Sequence, residues 1–120
     1  MSGRISPGEV SMRDLTEREQ KILEAMLGQL PGVEPQLREQ LTTARASQID
    51  DEGSLRLDVT SPVVADIQDR VPVTATFDDT DNIPIYLLLH VIEGKLAELE
   101  IYKGDGSRII ARPTPERLYF

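Results

Sequence analysis

A chain of 120 residues with 39% hydrophobic and 28% charged residues is long enough to fold around one core and too short for two. Its formal net charge of -8, from 21 acidic against 13 basic residues, repels phosphate backbones and anionic lipid head groups, so neither nucleic acid nor a membrane is an expected partner and a basic protein is compatible. With no cysteine there is no disulfide, thiol nucleophile or thiolate metal site, which favours a cytoplasmic location.

Residues 1–14 lack an apolar run long enough for a signal peptide and read as a flexible tail, leaving residues 15–120 as a single domain. Thr16 followed three residues later by Glu19 has capping-box spacing, in which hydroxyl and carboxylate each satisfy an orphaned backbone N–H. A helix therefore starts there. Ile22, Leu23, Met26, Leu27 and Leu30 recur on one helical face, and Pro31-Gly32 stops the run. Pro35 suits the first turn of a second, short helix ending near Thr42, because the N–H it lacks would have no partner there. The following stretch, residues 44–49, is open between a first strand and an irregular exit.

From Ser54 the period switches to alternation. Leu55, Leu57 and Val59 face one way and Arg56 and Asp58 the other, as in a half-buried strand. Residues 63–70 show no period and read as a connection. Val71, Val73, Ala75 and Phe77 form a second alternating strand, with Pro72 placing its start at an edge or a ladder end. Residues 83–92 are apolar on both parities, as expected of a central strand, and fall well short of the ~20 residues of a membrane helix.

Glu93-Gly94-Lys95 predicts a three-residue hairpin loop with Gly94 left-handed, pairing Val91 with Lys95, Leu89 with Ala97 and Leu87 with Leu99. A two-residue loop would instead bring Glu98 opposite Leu89 and a carboxylate into the apolar set. After the Gly104–Ser107 turn, residues 108–111 have the composition of a further short strand, and Leu118, Tyr119 and Phe120 are apolar enough to tuck against the body. These elements predict an α+β domain: two N-terminal helices packed on one face of a four- to five-stranded antiparallel sheet.

The run Leu37-Arg38-Glu39-Gln40-Leu41 leading to Ala44-Arg45, the Val71-Pro72-Val73 strand, and the hairpin from Leu88-Leu89-His90-Val91 to Leu96-Ala97-Glu98-Leu99-Glu100-Ile101-Tyr102 resemble a set of small uncharacterised bacterial proteins, commonly actinobacterial. The resemblance spans roughly Leu15 to Leu118 and implies the fold without an activity. The resemblance implies that many such relatives carry a cysteine- and glycine-rich segment after the alanine-arginine pair. Here that position reads Ser47 to Gly53 without a thiol, so thiol-based metal or redox chemistry is not open to this chain.

His90 is the only histidine, which excludes a multi-histidine metal site. The predicted hairpin puts it on the sheet face opposite Leu89 and Val91, together with Tyr86, Glu98, Glu100 and Tyr102. These five residues are the candidate binding patch, set against the ordinary solvated face that polar residues usually make. The aspartates at 50, 51, 78, 79 and 81 offer hard oxygen ligands, but neither turn has EF-hand spacing and such turns more often bond their own backbone. Gly104-Asp105-Gly106 lacks the lysine and helix of a phosphate loop.

No metal or cofactor is therefore expected. The leading functional expectation is a non-catalytic interaction module, immunity-like in binding a basic partner. Its rival is a small-molecule-binding protein or hydrolytic enzyme using His90 with Glu98 or Glu100. A homodimer through the same face is a third possibility.

Overall fold

The computed structural model describes residues 11–120. The elements run β1 (Arg13–Asp14), α1 (Glu17–Leu27), α2 (Glu34–Leu41), β2 (Arg45–Gln48), β3 (Leu55–Asp58), β4 (Val73–Asp78), β5 (Pro84–Ile92) and β6 (Lys95–Lys103), with a 3-10 turn at Pro115–Arg117. The strands form one antiparallel sheet in the order β1-β2-β3-β6-β5-β4. Most of the expected tail, residues 1–10, lies outside the described residues, while Arg13 and Asp14 belong to the sheet.

Thr16 caps α1 with the full capping box. Its hydroxyl accepts from the Glu19 N–H at 3.1 Å, and the Glu19 carboxylate accepts from the Thr16 N–H at 2.9 Å. The same carboxylate receives two hydrogen bonds from Arg13, at 2.8 and 2.9 Å, which fasten β1 to the start of α1. Burial alone would raise the Glu19 carboxyl, but the bonds from Arg13 and Thr16 outweigh it and hold the group below its ordinary range. Helix α1 ends at Leu27, a turn before Pro31, with Gly28 as its C-cap.

The helices cover one face of the sheet. Ile22, Leu23, Met26 and Leu27 of α1 and Leu37 and Leu41 of α2 share a buried cluster with Ala75, Leu87, Leu89 and Leu99. Each large side chain so buried contributes about 1.5–3 kcal/mol to the fold before chain entropy is subtracted.

Among the described residues the sheet has six strands, which corrects the four to five expected. Pairing of Arg13 with Ala46 and Asp14 with Arg45 adds β1, a strand too short to show alternation. Within residues 44–49 the strand β2 forms over Arg45–Gln48, whereas residues 108–111 do not form a strand. The N–H groups of Ile110 and Ala111 instead donate to the Asp79 carboxylate, each at 2.8 Å, so the donors a ladder would need are already used. The other edge, β4, is covered in part by Tyr119, whose N–H and C=O exchange hydrogen bonds with Thr76. Leu118 packs on the core, while Phe120, expected to tuck in, is 54% exposed.

The β5–β6 hairpin also departs from expectation. Its loop has two residues, Glu93 (φ 52°) and Gly94 (φ 76°), the double positive angle of a type I′ turn, and Ile92 pairs with Lys95 and Val91 with Leu96. The register then shifts. His90 pairs with Glu98, Leu89 with Leu99 and Leu87 with Ile101, which leaves Ala97 as the extra residue of a β-bulge. A bulge was expected at Gly94 and lies instead at Ala97. Glu98 stays out of the core for the anticipated reason, the cost of burying a carboxylate, and Leu96 takes the interior place assigned to Ala97.

Gly94 is required by space as well as by angle. A Cβ there would lie 2.4 Å from the Ala65 carbonyl oxygen and 2.4 Å from Val64 Cγ1. Gly94→Ala is expected to destabilise the domain by about 3–5 kcal/mol, combining left-handed strain with a backbone clash. In urea unfolding the midpoint should drop at unchanged m-value; a loss below ~1 kcal/mol would mean that the turn is not held this close to residues 64–65.

Candidate functional site

Strands β5 and β6 present opposite parities to the two faces of the sheet. Leu87, Leu89, Leu99 and Ile101 point to the helices, so Tyr86, Leu88, His90, Glu98, Glu100 and Tyr102 point away from them. Tyr86 lies opposite Tyr102 with ring centroids 5.3 Å apart and planes inclined at 44°, a favourable tilted pair. All five residues of the sequence-derived patch thus share one face. Leu88, between Tyr86 and His90, joins them, and period-two counting alone would have found it.

His90 Nε2 lies 2.9 Å from Glu100 Oε1, a diagonal contact across the strand pair, with Glu98 directly opposite His90. Donor atoms of His90, Glu98 and Glu100 all fall within 4.8 Å of one another. His90 is mostly covered and Glu100 is about two-fifths exposed, so the cluster is reachable from solvent. A ring and two carboxylates so placed can exchange a proton, grip an ammonium or guanidinium group, or share a cation.

Beside this cluster the sheet opens. Pairing between β3 and β6 extends only from Leu55–Leu99 to Arg56–Glu98, next to the bulge. Beyond it Leu57, Asp58 and Val59 on one side and Lys95, Leu96 and Ala97 on the other line a cleft of about 700 Å³, together with Ile49, Arg56, Ile92 and Glu98. Ile49 and Ile92 are exposed large apolar residues. Glu98 belongs to both the cleft and the patch, and His90 is not among the residues lining the cleft. Sequence reasoning missed this feature, because it follows from the position of the bulge and no residue type marks it.

Comparison with known proteins matches residues 12–113 to a domain of unknown function, DUF6984. The chain belongs to the DUF6984 family. No curated protein and no solved structure matches it. No helix among the described residues of this DUF6984 domain is long and apolar enough to cross a membrane.

The aspartate-rich turns of the domain are occupied internally. Asp50 Oδ1 accepts from the Glu52 and Ser54 N–H groups, the local turn bonding its residue type favours. Asp79 is fully buried and meets Lys103 Nζ at 2.8 Å, while Lys103 also donates to Asp81 at 2.6 Å and to the Arg108 carbonyl at 3.1 Å. The cation of that turn is thus a lysine of the chain itself.

Burial opposes ionisation of Asp79, but the N–H groups of Ile110, Ala111 and Thr80 and the Lys103 ammonium overcome it and hold the carboxyl far below its ordinary range. A carboxyl depressed in the folded state stabilises the fold fully above its unfolded pKa of ~3.9 and loses that contribution as pH falls toward the folded value. Asp79→Asn should therefore lower the urea midpoint at pH 7 and flatten its decline between about pH 4 and 2 relative to the parent. An equally steep decline in the variant would assign the acid sensitivity to other groups.

Proposed function

We propose that this DUF6984 domain is a non-catalytic interaction module that binds a basic protein segment through the outer face of β5 and β6. The observation that carries the reading is an acidic pair, Glu98 and Glu100, beside the Tyr86–Tyr102 pair on a face turned away from both helices. Among the described residues, Glu100 has His90 as its only charge partner within 4.0 Å and Glu98 has none. Two carboxylates without cations, backed by aromatic surface and a net charge of -8, complement a lysine- or arginine-bearing partner. The adjoining cleft between Ile49 and Ile92 has room for an apolar anchor residue of the same segment.

An immunity-like role, neutralising a cationic protein in a bacterial cytoplasm, fits this chemistry. The hydrolytic alternative with His90 and Glu98 or Glu100 is less well supported, because the cleft does not reach His90. A symmetric homodimer through the face would set the Glu98 and Glu100 carboxylates of two copies against one another, which disfavours self-association.

The test is a titration of the ¹⁵N-labelled domain with an extended peptide rich in lysine and arginine and carrying one leucine. Shifts should gather on β5, β6 and the cleft rim and weaken with salt, and Glu98→Lys with Glu100→Lys should reduce affinity by roughly tenfold or more. Shifts spread over the whole surface, or equal binding by the charge-reversed pair, would defeat the proposal.

A further inference from the structure

We infer that His90, Glu98 and Glu100 form a binding site for a zinc-class divalent cation. The inference shares residues with the proposed contact face but does not rest on a protein partner, since the metal alone tests it. The single histidine excludes a multi-histidine site and leaves open a mixed site of one imidazole and two carboxylates.

The bulge at Ala97 assembles that set. Without the extra residue Glu98 would lie opposite Leu89 and point into the core; with it Glu98 lies opposite His90, on the face already holding Glu100. Each of the three residues brings a ligand atom within 4.8 Å of the other two. Tetrahedral zinc with bonds of about 2.0–2.2 Å holds its ligand atoms about 3.3–3.6 Å apart. The His90–Glu100 approach of 2.9 Å is somewhat shorter than that spacing and the other separations lie within 4.8 Å, so closing the site asks for adjustment of the side chains.

Donor type selects the ion. Calcium takes six to eight oxygens and magnesium a nearly rigid octahedron of oxygens, whereas an imidazole with carboxylates suits zinc and its first-row neighbours. Three protein ligands leave a fourth position for water, and one of the three, Glu98, also lines the β3–β6 cleft. Of the ionisable groups near the cluster, Arg56 lies opposite Glu98 across β3 and β6 and forms no ion pair with it, and its charge opposes a bound cation by repulsion.

The chelator-treated full chain, titrated with zinc chloride alone, should bind one equivalent with micromolar affinity and show a saturable rise in Tm that magnesium does not reproduce. Because His90 is the only histidine, ring ¹⁵N resonances report a single imidazole, and zinc should shift its coordinating nitrogen. His90→Ala, and separately Glu98→Gln with Glu100→Gln, should weaken binding by roughly 100-fold or more, beyond what loss of an outer-shell group costs. These substitutions lie on the outer face, and an unchanged amide spectrum away from β5 and β6 verifies the fold. Zinc that leaves the His90 ring unshifted, or that binds the double glutamine variant as tightly as the parent, overturns the assignment. Loss of peptide binding with zinc binding intact would count against the partner proposal alone.

Discussion

One buried amide fixes the geometry on which the rest depends. Gln40, at the end of α2 and fully buried, donates from Nε2 to the Gly94 carbonyl at 2.7 Å and to the Val63 carbonyl at 3.0 Å, and accepts at Oε1 from the Leu96 N–H at 2.9 Å. Three backbone groups from two distant segments are satisfied by one side chain. Left unpaired in the interior, the Leu96 N–H alone would cost about 1–3 kcal/mol. The Ala65 N–H closes the arrangement on the Gly94 carbonyl at 3.0 Å, which explains why the turn approaches residues 64–65 too closely for any side chain at position 94. A turn held at that place fixes the phase of β6, and the bulge at Ala97 then restores Leu99 and Ile101 to the core.

The charges divide by the same logic. Among the described residues both buried carboxylates have partners: Glu19 has Arg13 and the α1 N-terminus, and Asp79 has Lys103 and three backbone N–H groups. A buried ion without such bonds would be strongly unfavourable, so these cations are committed to the fold. Of the two outer-face glutamates, Glu100 meets only His90, a group whose charge depends on its protonation, and Glu98 lies opposite Arg56 without an ion pair. Their solvent access makes that affordable for the isolated domain, and it is also what keeps them available to an external cation.

Local rules in the sequence reached the helices and most strands. The Thr16–Glu19 capping box, the alternation of Leu55 to Asp58 and the parity that sets His90 with Tyr86 all depend on neighbours within a few residues. What was not legible depended on distant partners. A two-residue strand exists because Arg13 and Asp14 meet β2, and residues 108–111 stay irregular because Asp79, about thirty positions away, takes their N–H groups. The bulge was misplaced for a related reason. Gly94 carries a genuine signal for a positive φ, but whether the extra residue sits in the turn or three residues on is decided by Gln40 holding Gly94 and Leu96, a contact across more than fifty residues.

Placing the bulge at Ala97 instead of in the turn changes the surface as well as the core. A three-residue loop would have kept β6 regular alongside β3, with no reason for the two strands to part. A bulge bends its strand and breaks its ladder, and here the break falls where pairing with β3 ends, opening the cleft between Leu57–Val59 and Lys95–Ala97. The amide of Gln40 therefore acts on both faces at once: it holds the backbone of the buried Leu96 directly and, through the displaced residue, sets an acidic side chain between an imidazole and an open cleft. A sheet face kept polar only for solubility needs no such coincidence, since any alternation of charged residues would serve.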